Sequence, residues 1–374
     1  MRVLVNGLSI GSHSGRHVLY GHLRQLAQSS AGEIELVVLK QLLEPIPVEL
    51  QRQDIVWHDA PAFASHPAVR TAWETIALPR LLRRLGIDRY FTPNGTTLAR
   101  CHIPQVSLAQ NPWPLVRELH GSMLEHLHAG VLRHAYRAAY RDAETMAYNS
   151  AHMRSLYRQN ARRDPDRAAS VIAHQGIDDE THAAAQTARD ATPKQPDRVL
   201  SVSAMASWKG AETLVASADR LRTMGVRARV RLVGPWPNAT YERLIRSEIA
   251  ARKLGDMVEI TGAVSRAQLH REYAEAKVFC LMSRCESFGI PAIEAQAFGT
   301  PVIGTSETAM AEIGGAGGRY GPAGDAEWTA VQIAGVLTDE DRWRALSTAA
   351  VANAARFRWD ICSRPLLAAL RGAV

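Results

Sequence analysis

The 374-residue chain contains no run of about 20 consecutive apolar residues, the length that a membrane-spanning helix requires, so no such helix is expected. Cysteine is scarce. Cys101, Cys280, Cys285 and Cys362 show no paired metal-ligand spacing, and all four are expected as reduced thiols of a cytoplasmic protein. The dinucleotide fingerprint G-x-G-x-x-G is missing, since Gly7, Gly11 and Gly15 stand too far apart. There is no G-x-S-x-G and no ordered Ser-His-Asp set, which argues against hydrolysis. No basic tract is interleaved with aromatics, so a nucleic-acid partner is not expected. Lysine is rare as well: five residues against 39 arginines.

What remains is the composition of a soluble globular protein, 46% hydrophobic and 22% charged. At this length two domains of about 150–200 residues each are expected. The opening MRVLVNGLSIG reads as a short strand and a loop rather than a signal peptide. Net charge is +7. Residues 1–178 hold 20 basic and 15 acidic residues and 12 of the 14 histidines. Such a half suits peripheral contact with an anionic membrane surface or an acidic acceptor, and a solvated Arg-rich surface is the plainer alternative.

Along the chain, apolar runs alternate with helical periodicity, the pattern of an α/β protein with parallel sheets. Strands are expected at 2–6, 35–40, 54–58, 89–92, 104–110, 144–149 and 170–173. Helices are expected at 16–28, 71–85 and 151–159, with a long basic amphipathic helix or helix pair at 115–140, broken at Gly130. Residues 179–197, rich in Ala, Thr, Gln and Pro without a periodic apolar face, read as a linker. The rhythm restarts with strands at 199–205, 229–234, 257–263 and 277–282 and helices at 210–224, 241–254 and 265–276. Helical sequence follows from 325 to 356, and a last amphipathic helix covers 359–370.

The stretch 279–305, FCLMSRCESFGIPAIEAQAFGTPVIGT, reads as strand, loop, helix and strand. Pro291 and Gly299 mark the helix start and stop. The helix N-terminus suits an anion. Glu286 and Glu294, eight residues apart, do not suit phosphate and are better placed for sugar hydroxyls.

ESFGIPAIEA followed by FGTPVIGT is similar to the E-x7-E region of retaining glycosyltransferase family 4, which has the GT-B fold. The resemblance extends to VSAMASWKG at 202–210, to Leu232-Val-Gly234 and to Thr261-Gly-Ala-Val-Ser265. It is weaker at Gly15-Arg16 and His174-Gln-Gly-Ile-Asp178. It implies two Rossmann-like domains facing a central cleft: an acceptor-side domain at 1–178, a linker at 179–197 and a nucleotide-sugar domain at 198–358, with the helix 359–374 packing back on the first. It further implies that Lys209 neutralises the donor diphosphate, that Glu286 holds donor-sugar hydroxyls and that Glu294 holds the ribose. The backbone of Ser287, Phe288 and Gly289, together with Gly234, lines the donor. Val264 and Ser265 meet the base, although an ordinary strand end is an equal reading there. Gly15, Arg16, Asn111 and His174 fall on the acceptor or phosphate side.

Two positions depart from the family pattern. Ala204 stands where many members carry Arg, leaving the diphosphate to Lys209, to helix N-termini and to Arg284 or Arg16. Gln110-Asn111 stands where His-Asp is common, and Asn111 with Pro114 resembles an Asn-x-x-Pro variant. His17 and His174 are weak substitutes for the missing histidine. Asp164-Pro-Asp166 has the spacing of a metal-binding DxD but reads as a solvated turn. No metal and no cofactor beyond the nucleotide sugar is expected.

The function implied is retaining, metal-independent transfer of a hexose-type sugar to a glycan or lipid-linked glycan in bacterial surface polysaccharide or glycoconjugate assembly. The rival readings are a non-catalytic sugar-nucleotide-binding partner of a glycosyltransferase complex and a sugar-nucleotide 2-epimerase on the same scaffold. A dinucleotide oxidoreductase is more distant.

Overall fold

The segment RVLVN forms strand β1 (Arg2–Asn6) and buries its last four residues. Parallel strands covered by helices on both faces are expected to read as continuous apolar runs in this way. Strands β2 (Glu35–Lys40), β3 (Ile55–Asp59), β4 (Arg89–Thr92), β5 (Gln105–Ala109), β6 (Thr145–Tyr148) and β7 (Ala169–Ile172) join it. The sheet has the order β3-β2-β1-β4-β5-β6-β7, with every pairing parallel. Strand order reverses between β1 and β4, the topological switch of an open α/β sheet. The computed structural model describes residues 1–10, 13–41, 44–99, 101–161 and 169–373. They fall into two units, Met1–Gly176 with Trp359–Val374, and Ile177–Arg358.

Two helices of the first unit differ from expectation. The helix expected at 71–85 is two, Pro67–Ile76 and Leu78–Arg84, because Pro79 suits the first turn of a new helix and not the interior of an old one. The long basic helix, Met123–Asp142, runs unbroken through Gly130. A single helical glycine costs only about 1 kcal/mol. Here the helix is fixed at its start by a Ser122–Glu125 capping box and along its length by buried Ala129, Tyr136, Ala139 and Tyr140.

The second unit holds β8 (Gln195–Val202), β9 (Arg229–Val233), β10 (Val258–Gly262), β11 (Ala276–Leu281), β12 (Val302–Thr305) and β13 (Gly318–Gly321). All pair in parallel in the order β10-β9-β8-β11-β12-β13, so its switch lies between β8 and β11. All six residues of β11 are buried.

The linker expected at 179–197 is not a linker. It is the helix Asp179–Ala191 followed by the start of β8, and both belong to the second unit, which begins at Ile177. The buried face of that helix consists of small residues, Thr181 and Ala185, so it has no large-apolar periodicity to reveal it. Polar groups anchor the rest. Arg189 donates to the Ala297 carbonyl, and Lys194 Nζ donates to the carbonyls of Tyr273 and Phe298 and to Thr300 Oγ1, at 2.7–3.1 Å.

The C-terminal segment forms two short helices, Trp359–Cys362 and Arg364–Arg371. The Trp359 ring lies so close to Gly21 and Gly176 that a Cβ at either would sit 2.2 or 2.7 Å from it. The helix Arg364–Arg371 packs on β6 and β7. Among the described residues no helix is long and apolar enough to cross a membrane.

Candidate functional site

In the second unit the chain leaves β8 at Val202 and β11 at Leu281, on either side of the sheet's switch point. Backbone pairing continues past the strand ends. Ser203 N–H donates to the Val233 carbonyl, Met205 N–H to that of Pro235 and Gly234 N–H to that of Gly262. Residues 207–209 form a tight turn that ends at Gly210, the residue preceding the helix Ala211–Thr223. Gly210 has φ +77°, and a Cβ there would lie 2.2 Å from the Met282 carbonyl oxygen. Only glycine lets this helix start rest on the end of β11. The two loops are then tied together, since Arg284 N–H and Ser283 Oγ both donate to the Trp208 carbonyl, at 2.8 and 3.2 Å.

The result is a cation and a carboxylate brought together from residues 77 apart. Lys209 Nζ donates to Glu286 Oε1 at 2.5 Å, with both side chains mostly buried. The loop carrying Glu286 is held from its other side by Thr305 Oγ1, which donates to the Ser283 carbonyl at 2.7 Å, and by Ala309 N–H, which donates to the Glu286 carbonyl. Gly289 precedes the helix Ile290–Ala297 with φ +91°, and a Cβ there would meet Met310 Sδ at 2.5 Å. Phe288 is buried edge-on against Phe357, so its side chain serves the core and only its backbone belongs to the loop surface.

Glu294 lies one turn into this helix and accepts a hydrogen bond from Tyr273 Oη at 2.9 Å. Burial pushes its carboxyl up to about 7, against the opposing effects of that hydrogen bond and of Arg266. The Cys285 thiol, beside Glu286, is pushed up to about 12, first by burial and then by the Glu286 charge, which leaves it a poor nucleophile at neutral pH. Gly234 and Val264 follow β9 and β10. Val264 is partly buried just before Ser265, whose capping box starts the helix Arg266–Glu275.

The arginines named as substitutes at Ala204 are each already engaged. Arg284 donates to Glu212 at 3.0 Å and to the Ser207 carbonyl at 2.9 Å. In the first unit Arg16 pairs with Glu44 at 3.0 Å, and Tyr20 Oη donates to the same carboxylate. Gly15 and Arg16 lie in the first turn of the helix His13–Ser29 rather than in a loop before it.

The other first-unit candidates follow the carboxyl ends of β5 and β7. Asn111 is exposed, and its Oδ1 accepts from Trp113 N–H. Gln110 donates to the Pro93 carbonyl at 2.6 Å. His174 Nδ1 lies 3.0 Å from the Asn149 carbonyl, and His17 Nε2 lies 3.4 Å from that of Gly176. Sequence reasoning missed a polar cluster at the end of β1. Asn6 Nδ2 donates to Glu74 Oε1 and to Tyr90 Oη, both at 2.8 Å, and burial raises the Glu74 carboxyl. The available signal was Asn6, a polar residue closing an apolar strand. Asp164 and Asp166 lie outside the described residues. Among those described, no group of three or more His, Cys, Asp or Glu comes together as metal ligands.

Residues 184–353 match the family described as "Glycosyl transferases group 1". The D-inositol 3-phosphate glycosyltransferase of Segniliparus rotundus is 32% identical over 224 residues, 56% of this chain and 44% of that protein. The chain therefore spans less than half the length of this relative. Among solved structures, the sucrose-phosphate synthase of Thermosynechococcus elongatus superposes with a TM-score of 0.76 at 18% identity, covering 100% of this chain and 98% of that one. HepE of Anabaena, solved with UDP and glucose, superposes with a TM-score of 0.72 at 18% identity over 99% of both chains. Residues 184–353 are thus a glycosyltransferase group 1 domain, in a chain that has the GT-B fold.

Proposed function

We propose that this protein is a retaining glycosyltransferase of family 4. It moves a hexose-type sugar from a nucleotide-sugar donor to a glycan or lipid-linked glycan without a metal ion, at the cytoplasmic side of bacterial surface polysaccharide or glycoconjugate assembly. The observation that carries the reading is the Lys209–Glu286 pair at the carboxyl ends of β8 and β11, where open α/β sheets bind their ligands. The nucleoside diphosphate in the HepE structure supports the donor class.

In this mechanism the donor diphosphate draws Lys209 away from Glu286. The cation then meets the charge that grows on the leaving group, and the freed carboxylate accepts hydrogen bonds from the sugar hydroxyls. The helix start at Ile290 adds its N-terminal dipole, and Glu294 holds the ribose. The leaving diphosphate takes the acceptor hydroxyl's proton as attack occurs on the same face. Orientation and preorganised charge supply the rate enhancement.

Lys209→Ala and Glu286→Gln are each expected to slow sugar transfer and donor hydrolysis by about 100-fold or more. Wild-type rates in both variants would refute the assignment. Ala204 and the engagement of Arg284 by Glu212 favour one second reading, a non-catalytic nucleotide-sugar binder. Nucleotide release by the wild-type protein without acceptor distinguishes the two, because a pure binder releases none.

A further inference from the structure

The helix Met123–Asp142 has two apolar faces, and the core uses one of them. Ala129, Tyr136, Ala139 and Tyr140 pack inward. Met123, Leu124, Leu127 and Val131 are 81%, 77%, 63% and 69% exposed. At about 100° per residue these four fall within one arc of about 100°, opposite the buried face. Four large aliphatic side chains together on a capped, well-anchored helix form a patch rather than the scattered singles normal on a surface.

The charges bordering the patch say what it fits. Arg133 and Arg137 run along one edge of the arc, and Arg117 lies in the turn just before the helix. The three are near enough that Arg117 and Arg137 lower the Arg133 pKa, after the larger effect of burial, so like charges are crowded here. His128 and His134 are exposed beside the apolar residues. The acids of the helix do not oppose this. Glu125 is turned back into the capping box, and Asp142 is paired with Arg141 at the far end. Apolar side chains edged by crowded guanidinium groups are the pattern of a helix that lies in the plane of a bilayer interface.

We propose that this helix docks the first unit on an anionic lipid bilayer, with Met123, Leu124, Leu127 and Val131 entering the acyl boundary and Arg117, Arg133 and Arg137 meeting lipid phosphates. The inference stands on surface chemistry alone and does not depend on the donor assignment.

Co-sedimentation of the full-length protein with vesicles tests it. Vesicles of phosphatidylcholine mixed with phosphatidylglycerol are expected to carry the protein down, more weakly as salt is raised, and pure phosphatidylcholine vesicles are not. Leu124→Glu combined with Leu127→Glu should lower the bound fraction about tenfold or more. Arg137→Glu should lower it on anionic vesicles. Because these positions are exposed, the thermal midpoint should stay unchanged, which separates lost docking from lost folding. The proposal is overturned if wild-type protein stays in the supernatant with both vesicle types, or if the Leu124/Leu127 variant sediments as wild type does. It is also overturned if the patch instead joins two copies of the chain, seen as a dimer that Leu127→Glu dissociates in sedimentation velocity without any vesicle binding.

Discussion

Glu294 shows how one side chain can make donor binding depend on pH. Its carboxyl, raised to about 7 by burial, is protonated over a range where ordinary carboxylates are ionised. A raised carboxyl pKa stabilises the fold most below the ordinary value of 4.5, and that contribution disappears as pH rises through about 7. Binding has the opposite sign. If the ribose hydroxyls donate to an ionised Glu294, affinity for a sugar nucleotide should fall toward about tenfold per pH unit below pH 7. Glu294→Gln should bind more weakly and show no such slope. Isothermal titration with an intact sugar nucleotide checks this, because its diphosphate diester does not itself titrate there. A flat wild-type profile would show that the carboxylate form is not needed. Tyr273, which donates to Glu294, could not have been found by reading the chain, since nothing in its local pattern sets it apart from any other partly apolar helical residue.

At the scale of elements, the C-terminal segment completes a unit to which it is not adjacent in sequence. Trp359 is buried against the two glycines Gly21 and Gly176, where no larger residue fits. Trp359→Ala leaves a cavity at that seam and should destabilise the first unit by about 3–5 kcal/mol. Urea unfolding followed by hydrogen exchange on β1–β7 and on β8–β13 would show the loss in the first set. Equal loss in both sets would contradict the placement.

What the sequence made visible at this scale follows burial. The apolar strands β1, β2 and β4 have the bounds expected of them, because buried parallel strands read as apolar runs. β13, the sequence GRYG, could not be seen, since two glycines and an arginine carry no strand signal. The helix Asp179–Ala191 was hidden for the related reason that it buries small residues and ties itself down through Arg189 and Thr181.

Taken as a whole molecule, the chain is two parallel α/β sheets, each with its order reversed once. The carboxyl edge of each sheet carries the polar residues that this architecture leaves for ligands. The donor-side residues were legible because Lys209 is one of only five lysines and the two glutamates bracket a loop-to-helix junction. The first-unit cluster of Asn6, Glu74 and Tyr90 was not, because its members are far apart in sequence and join only through the packing of β1 and β4 with the helix Pro67–Ile76.

The central claim is that the Lys209–Glu286 loop pair receives a nucleoside diphosphate, and thermal denaturation with GDP, UDP, dTDP, ADP and NAD in turn tests it most directly. One nucleoside diphosphate, at about 100 times its dissociation constant, should raise the wild-type midpoint by about 2–4 °C, and Lys209→Ala should lose most of that shift. A shift with NAD alone, or one that survives intact in Lys209→Ala, would contradict the account.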